Sequence, residues 1–121
     1  MNRPCEHITF HDQDDVFFVR IKNHRLRAED LEQLGAELNS LIEELGCRKL
    51  VLSMGPRDFE CLYSVFLGKL IHLQRSLASV GGTMVVAEAS ENTLGVFRAT
   101  GLDKHFQFFA DPLTAVQALL A

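Results

Sequence analysis

The hydroxyl of Ser64 has the most suggestive chemical setting in the chain. It belongs to Leu62-Tyr63-Ser64-Val65-Phe66-Leu67-Gly68, which follows a short hydrophobic strand and opens an amphipathic helix. A strand-to-helix turn leaves the first backbone N–H groups of the helix unpaired and pointing outward. A phosphate placed on a hydroxyl there meets a helix end that tolerates negative charge. The same serine can equally be a plain N-cap, worth about 1 kcal/mol. Asp58, Glu60 and Cys61 share the loop with Ser64, but no histidine has a spacing that points to a catalytic triad. Cys61 is either a reactive thiol or, as free cysteines commonly are, a small core residue.

The elements that must position this turn are readable from hydrophobic pattern. Two short strands, Ile8–His11 and Val16–Ile21, are rich in β-branched and aromatic residues, with a turn over Asp12–Asp15. A helix from about Ala28 to Leu45 carries Leu31, Leu34, Leu38, Leu41, Ile42 and Leu45 on one face, and Gly46 stops it. The run Lys49–Met54 is continuously apolar, which predicts a strand buried on both faces, and Gly55-Pro56 breaks it.

The second helix is expected from about Ser64 to Val80. Phe66, Leu67, Leu70, Ile71, Leu73 and Leu77 fill its apolar arc, and Ser64, Gly68, His72, Arg75 and Ser76 fall opposite, with Val65 and Lys69 on that polar side. Gly68 lies one turn beyond Ser64. It serves either a close helix contact or clearance for a partner's backbone, at about 0.5–1 kcal/mol relative to Ala. Tyr63 is either an apolar anchor for a partner, or itself modified, or a residue lying over the core arc.

Gly81-Gly82 ends that helix and Thr83–Ala87 is a further buried strand. Ser90 caps a short helix running to Thr100 and closed by Gly101. Phe106–Phe109 is a last strand. Asp111-Pro112 opens a final helix with Leu113, Val116, Leu119 and Leu120 on its apolar side. The order β-β-α-β-α-β-α-β-α predicts an α/β domain. Its four- to five-stranded sheet is mostly parallel, with an antiparallel N-terminal strand and about four helices packed on it. Residues 1–7 read as an N-terminal extension and 8–121 as the domain.

The 121 residues, 47% hydrophobic and 23% charged, suit one globular domain that needs neither metal nor disulfide. The formal charge is −4 and the cations are scattered, so no basic face for nucleic acid is visible. No apolar run is long enough to span a bilayer, and the polar N-terminus lacks a signal-peptide core, so a cytoplasmic location is expected. Cys5, Cys47 and Cys61 form no CxxC pair and are expected as free thiols. His7, His11, His24, His72 and His105 show no metal-ligand frame with other side chains, so neither metal nor organic cofactor is expected.

Several phrases in order resemble the STAS family of sulfate transporters and anti-sigma factor antagonists, over about Ile8 to Leu120. They are the strand Leu50–Met54, the run Leu62–Ile71, Gly81–Val86, Val96–Phe106 and Asp111–Leu119. The family turn usually reads Leu-Asp-Ser-Ser-Gly-Leu-Gly. Ser64 falls on its first serine, and Leu67 and Gly68 match. Tyr63 replaces the acidic residue, Val65 the second serine and Phe66 the first glycine. The resemblance implies a non-enzymatic bacterial regulator of transcription. In that class the matching serine is phosphorylated by a partner anti-sigma factor that is also a serine kinase, and the unphosphorylated form binds that partner. The residues expected at the partner surface are Tyr63, Ser64, Val65, Gly68, Lys69 and His72. The alternative is a degenerate STAS domain, acting as a constitutive docking module or as a small-ligand or nucleotide sensor at the strand C-termini.

Overall fold

The computed structural model describes residues 5–55 and 57–120. The first four residues of the expected extension, Pro56 of the expected chain break and Ala121 at the expected domain end lie outside the described residues. The elements are β1 (Ile8–Gln13), β2 (Val16–Ile21), α1 (Ala28–Glu43), β3 (Lys49–Ser53), α2 (Tyr63–Ser79), β4 (Thr83–Ala87), α3 (Glu91–Ala99), a 3-10 turn (Leu102–Lys104), β5 (Phe108–Phe109) and α4 (Pro112–Leu120).

The five strands lie side by side in chain order. β1 pairs antiparallel with β2, and every later pair is parallel. Each parallel step needs a crossover helix, and crossovers share one hand. In a sheet that grows in one direction, that rule puts α1, α2 and α3 on the same face. Phe17, Val19, Leu50, Leu52, Met84 and Val86 point to that face and meet the leucines of α1 and α2 and Phe97 of α3. The alternate residues Val16, Val51, Val85 and Ala87 point the other way, to Ala115 of α4. β3 is therefore covered on both faces, which explains its unbroken apolar run.

Local chemistry adjusts several expected boundaries. The first hairpin turns on Asp14 and Asp15 alone, both with positive φ (54° and 68°), so β1 runs on through Asp12 and Gln13. A two-residue turn of this hand fits the strand twist, and Asp tolerates it better than most residues. α1 stops at Glu43. Leu45 is exposed rather than part of the core face, because the chain turns at Gly46 (φ 71°) and sends Cys47 into the interior instead. Phe106 is not in a strand. It packs edge-on against Phe97 at 5.5 Å, and only Phe108 and Phe109 pair with β4. On α4 the face presented to the sheet is Ala115 with Val116 and Leu119. Leu113 (67% exposed) and Leu120 fall past that arc at helical pitch and face outward.

Residues 5–7 lie against α1, where Glu37 accepts the backbone N–H groups of Glu6 and His7 at 2.9 Å. No helix among the described residues is long and apolar enough to cross a membrane. Among the same residues no group of three or more His, Cys, Asp or Glu side chains is placed to hold a metal ion.

Candidate functional site

Ser64 is exposed in the first turn of α2, at the end of the sheet where β3 delivers its chain. It is the second helical residue and not the N-cap. Leu62 holds the capping position with extended backbone (φ −78°, ψ 100°), and no side chain among the described residues caps the helix. The plain-cap reading of Ser64 is therefore replaced. Its hydroxyl has no hydrogen-bond partner among the described residues. Val65 and Phe66 N–H both donate to Leu62 C=O at 3.0 Å, and the N–H groups of Tyr63 and Ser64 precede that first bond. The first turn holds no acidic residue, so nothing there opposes added negative charge.

Leu62 is 63% exposed beside that turn. An uncapped helix end with leucine at the cap is unfavourable for the free domain on both counts. Tyr63 is half-buried, edge-on to Phe66 at 6.2 Å, with its hydroxyl 3.3 Å from Thr93 Oγ1. It rests on the core arc rather than standing out as an apolar anchor.

Val65, Gly68, Lys69 and His72 line a hollow of about 600 Å³ between α2 and α1, facing Gly35, Ala36 and Asn39. Lys69 spans it to Glu32, Nζ to Oε2 2.7 Å. A Cβ built on Gly68 would meet nothing within 4 Å. A close contact inside the domain therefore does not account for this glycine, and the clearance reading remains. Of the six residues expected at a partner surface, four line this hollow. Tyr63 and Ser64 sit apart from them, at the helix N-terminus.

The loop before α2 is held from two sides, which the sequence did not reveal. On one side Glu60 N–H donates to His24 C=O at 2.6 Å and Leu26 N–H donates to Glu60 C=O at 2.9 Å. The His24 ring stacks on Phe59 at 4.5 Å, and its Nε2 lies 2.7 Å from Met54 C=O. On the other side Asp58 accepts from Ser90 Oγ at 2.6 Å and Asn92 Nδ2 at 2.7 Å. The Ser90 hydroxyl first, and then the Asn92 amide, hold the Asp58 carboxyl below its ordinary range. Helix capping makes Ser90 legible in the sequence, and it does accept Thr93 N–H at 3.2 Å. Its bond to Asp58 crosses 32 positions and leaves no local pattern.

A second polar cluster lies at the same end of the sheet, on the α4 face. Glu88, with left-handed backbone (φ 61°), accepts from buried Ser53 and from Arg20 Nη2 at 3.1 Å. Lys22, His24, Arg25, Arg57, Asp58 and Glu60 line a further polar hollow of about 480 Å³. Burial raises the Cys61 thiol. No histidine is hydrogen-bonded to Cys61 or Ser64 among the described residues, so the loop shows no nucleophile–base pair.

Comparison with protein-family models gives no match, and no curated protein matches the chain. Solved structures do. An anti-sigma factor antagonist from Mycobacterium paratuberculosis shares 20% identity with full coverage of both chains and a TM-score of 0.80. An anti-sigma-factor antagonist (STAS) domain protein from Planctomyces limnophilus shares 17% identity over 94% of this chain and 98% of its own, TM-score 0.81. The Bacillus cell fate determinant SpoIIAA, in its phosphorylated form, shares 18% identity over 92% and 97%, TM-score 0.65. The sequential mixed sheet, the helices on its two faces and these near-complete superpositions show that the chain has the STAS-domain fold of the anti-sigma factor antagonists.

Proposed function

We propose that this protein is a non-enzymatic regulator of the anti-sigma factor antagonist kind. Its domain, from residue 8 onward, binds an anti-sigma factor that is also a serine kinase, and phosphorylation of Ser64 releases it. It acts in the cytoplasm and touches no nucleic acid itself. The observation that carries this reading is the exposed Ser64 hydroxyl, without a partner among the described residues, in a first helical turn that holds no acidic residue. A phosphate adds about −1.5 to −2 charges there, which the helix end accepts and a dry or acidic partner surface does not. Exposed Leu62 and the hollow lined by Val65, Gly68, Lys69 and His72 supply the contact surface around the switch.

A constitutive docking module is the second reading. It is favoured by Tyr63, which stands where the resemblance expects an acidic residue and whose hydroxyl turns inward to Thr93. The test is a pull-down from the native cytoplasm with wild-type protein and Ser64→Glu, followed by incubation of the recovered partner with ATP. The switch predicts a serine-kinase anti-sigma factor on wild type alone, and phosphoserine at 64 by mass spectrometry. Equal recovery on both baits with no phosphoserine supports the constitutive module.

A further inference from the structure

Two ends of one loop are fastened to one short segment of another element. Asp58, early in the loop between β3 and α2, and Tyr63, the first residue of α2, both bond to Ser90–Thr93 at the start of α3. Proton accounting fixes the Asp58 end of this chain of contacts. Asp58 is an acceptor only, so the single Ser90 hydroxyl proton goes to its Oδ1 at 2.6 Å. Ser90 Oγ also lies 3.0 Å from Thr93 Oγ1, on its donor side, and in return accepts the Thr93 backbone N–H at 3.2 Å. The Thr93 and Tyr63 hydroxyls lie 3.3 Å apart, and either can donate to the other. The contacts thus join Tyr63 to Thr93, Thr93 to Ser90 and Ser90 to the Asp58 carboxylate, and Asn92 Nδ2 fills the second carboxylate oxygen at 2.7 Å.

We infer that this closed ring is a positioning device for Ser64, with Asp58 and Tyr63 as its positioning residues and the N-terminal turn of α3 as its fixed anchor. This deepens the proposed function and takes from it only the role of Ser64. The ring itself stands on the geometry. Thr93 is fully buried, so its hydroxyl contacts with Tyr63 and Ser90 lie in a dry setting, where such contacts are stronger than in water. The charge at the far end strengthens the first link, since a hydroxyl bonds a carboxylate more tightly than a neutral acceptor. Tyr63 has a definite job under this inference. Its ring packs on Phe66 in the core while its hydroxyl closes the ring one residue before Ser64. An aspartate at 63 would reach neither. The departure from the family turn is thus a different way of holding the same serine.

The test is amide hydrogen exchange, residue by residue, on the intact protein and on Asp58→Ala, Asp58→Asn and Tyr63→Phe. The reporters are the amides of Val65 and Phe66, which make the first bonds of α2. Loss of one link is expected to speed their exchange about five- to tenfold, with Asp58→Ala above Asp58→Asn, whose one remaining acceptor keeps half the grip. Tyr63→Phe keeps the ring packing and should act on the same two amides. Amides of β3 and β4 should exchange as in wild type. Unchanged Val65 and Phe66 in both Asp58→Ala and Tyr63→Phe overturns the inference, and so does a uniform rise across the sheet, which marks a general loss of stability. Neither result depends on whether Ser64 is phosphorylated, so failure of the ring and failure of the switch are read separately.

Discussion

Lys69 lies so close over Gly35 that a Cβ added to the glycine would come within 2.9 Å of Lys69 Cδ. The stem of the lysine thus fills the space that a larger residue on α1 would take, and its head pairs with Glu32. Glu32 is largely exposed and the pair is open to solvent, so its coupling in a double-mutant cycle with Glu32→Ala and Lys69→Ala is expected at about 0.2–1 kcal/mol. A coupling of several kcal/mol by chemical denaturation would mean that the pair holds α1 to α2, rather than shaping the hollow between them.

Gly68 and Gly82 are expected to respond in opposite directions to alanine. At Gly68 the added methyl meets open space, so Gly68→Ala should stabilise the free domain by about 0.5–1 kcal/mol. The same change should weaken partner binding if the glycine provides clearance. At Gly82 the added carbon would stand 2.5 Å from Arg48 backbone oxygen, which cannot swing aside. Gly82→Ala should therefore destabilise. Thermal melts of the two variants decide both signs.

Helix α2 lacks the cap that its sequence suggested. Ser64→Ala is accordingly expected to change stability by less than about 0.5 kcal/mol, as for other surface sites without special contacts. Leu62→Asp should raise it by about 1 kcal/mol, because aspartate at that extended position accepts the first helical N–H groups. Urea melts of both variants check this. A marked loss in Ser64→Ala would restore a capping role to the serine.

The long elements were legible because their patterns are local. The unbroken apolar run of β3 follows from cover on both faces, and the leucines of α1 recur at the pitch of the face they bury. The errors fall where tertiary packing chooses among apolar residues of similar kind. Cys47 went inside in place of Leu45, and Ala115 in place of Leu113 and Leu120, because the end of each helix sets which side meets the sheet. At the candidate site, Ser64 and its neighbours were visible from the strand-to-helix turn and the family resemblance. Asp58, Asn92 and His24 were not, since their bonds join loops about 30 residues apart and carry no periodicity.

Acid should loosen two carboxylate clasps. Hydrogen bonds lower the Asp58 carboxyl, Ser90 before Asn92, and lower Asp111, the backbone N–H of Thr114 before its hydroxyl. Each folded value then lies below the ordinary 3.8, so the unfolded chain binds more protons in that range. The stability these groups add is complete above that value and is lost as pH falls through the lower folded one. Asp111→Asn should therefore flatten the acid limb of a stability–pH curve while leaving its slope near neutrality unchanged. A slope altered at pH 6–8 would contradict this.

Cys47 is fully buried and its thiol is pushed up to about 12 by burial. Alkylation near pH 8 should leave it unlabelled in the native protein and reach it only at the rate of unfolding. Cys5 and Cys61, which are only partly buried, should react sooner. Peptide mapping after timed labelling gives the order, and early labelling of Cys47 would place it elsewhere than the core.

The most direct measurement is a titration of the recovered anti-sigma factor with wild type, Ser64→Ala and Ser64→Glu, each first shown by melting to be folded. Control by charge at Ser64 predicts that Ser64→Ala binds within about twofold of wild type. Ser64→Glu should bind at least about tenfold more weakly, a difference of about 1.4 kcal/mol. Equal dissociation constants for the alanine and glutamate variants would contradict the switch.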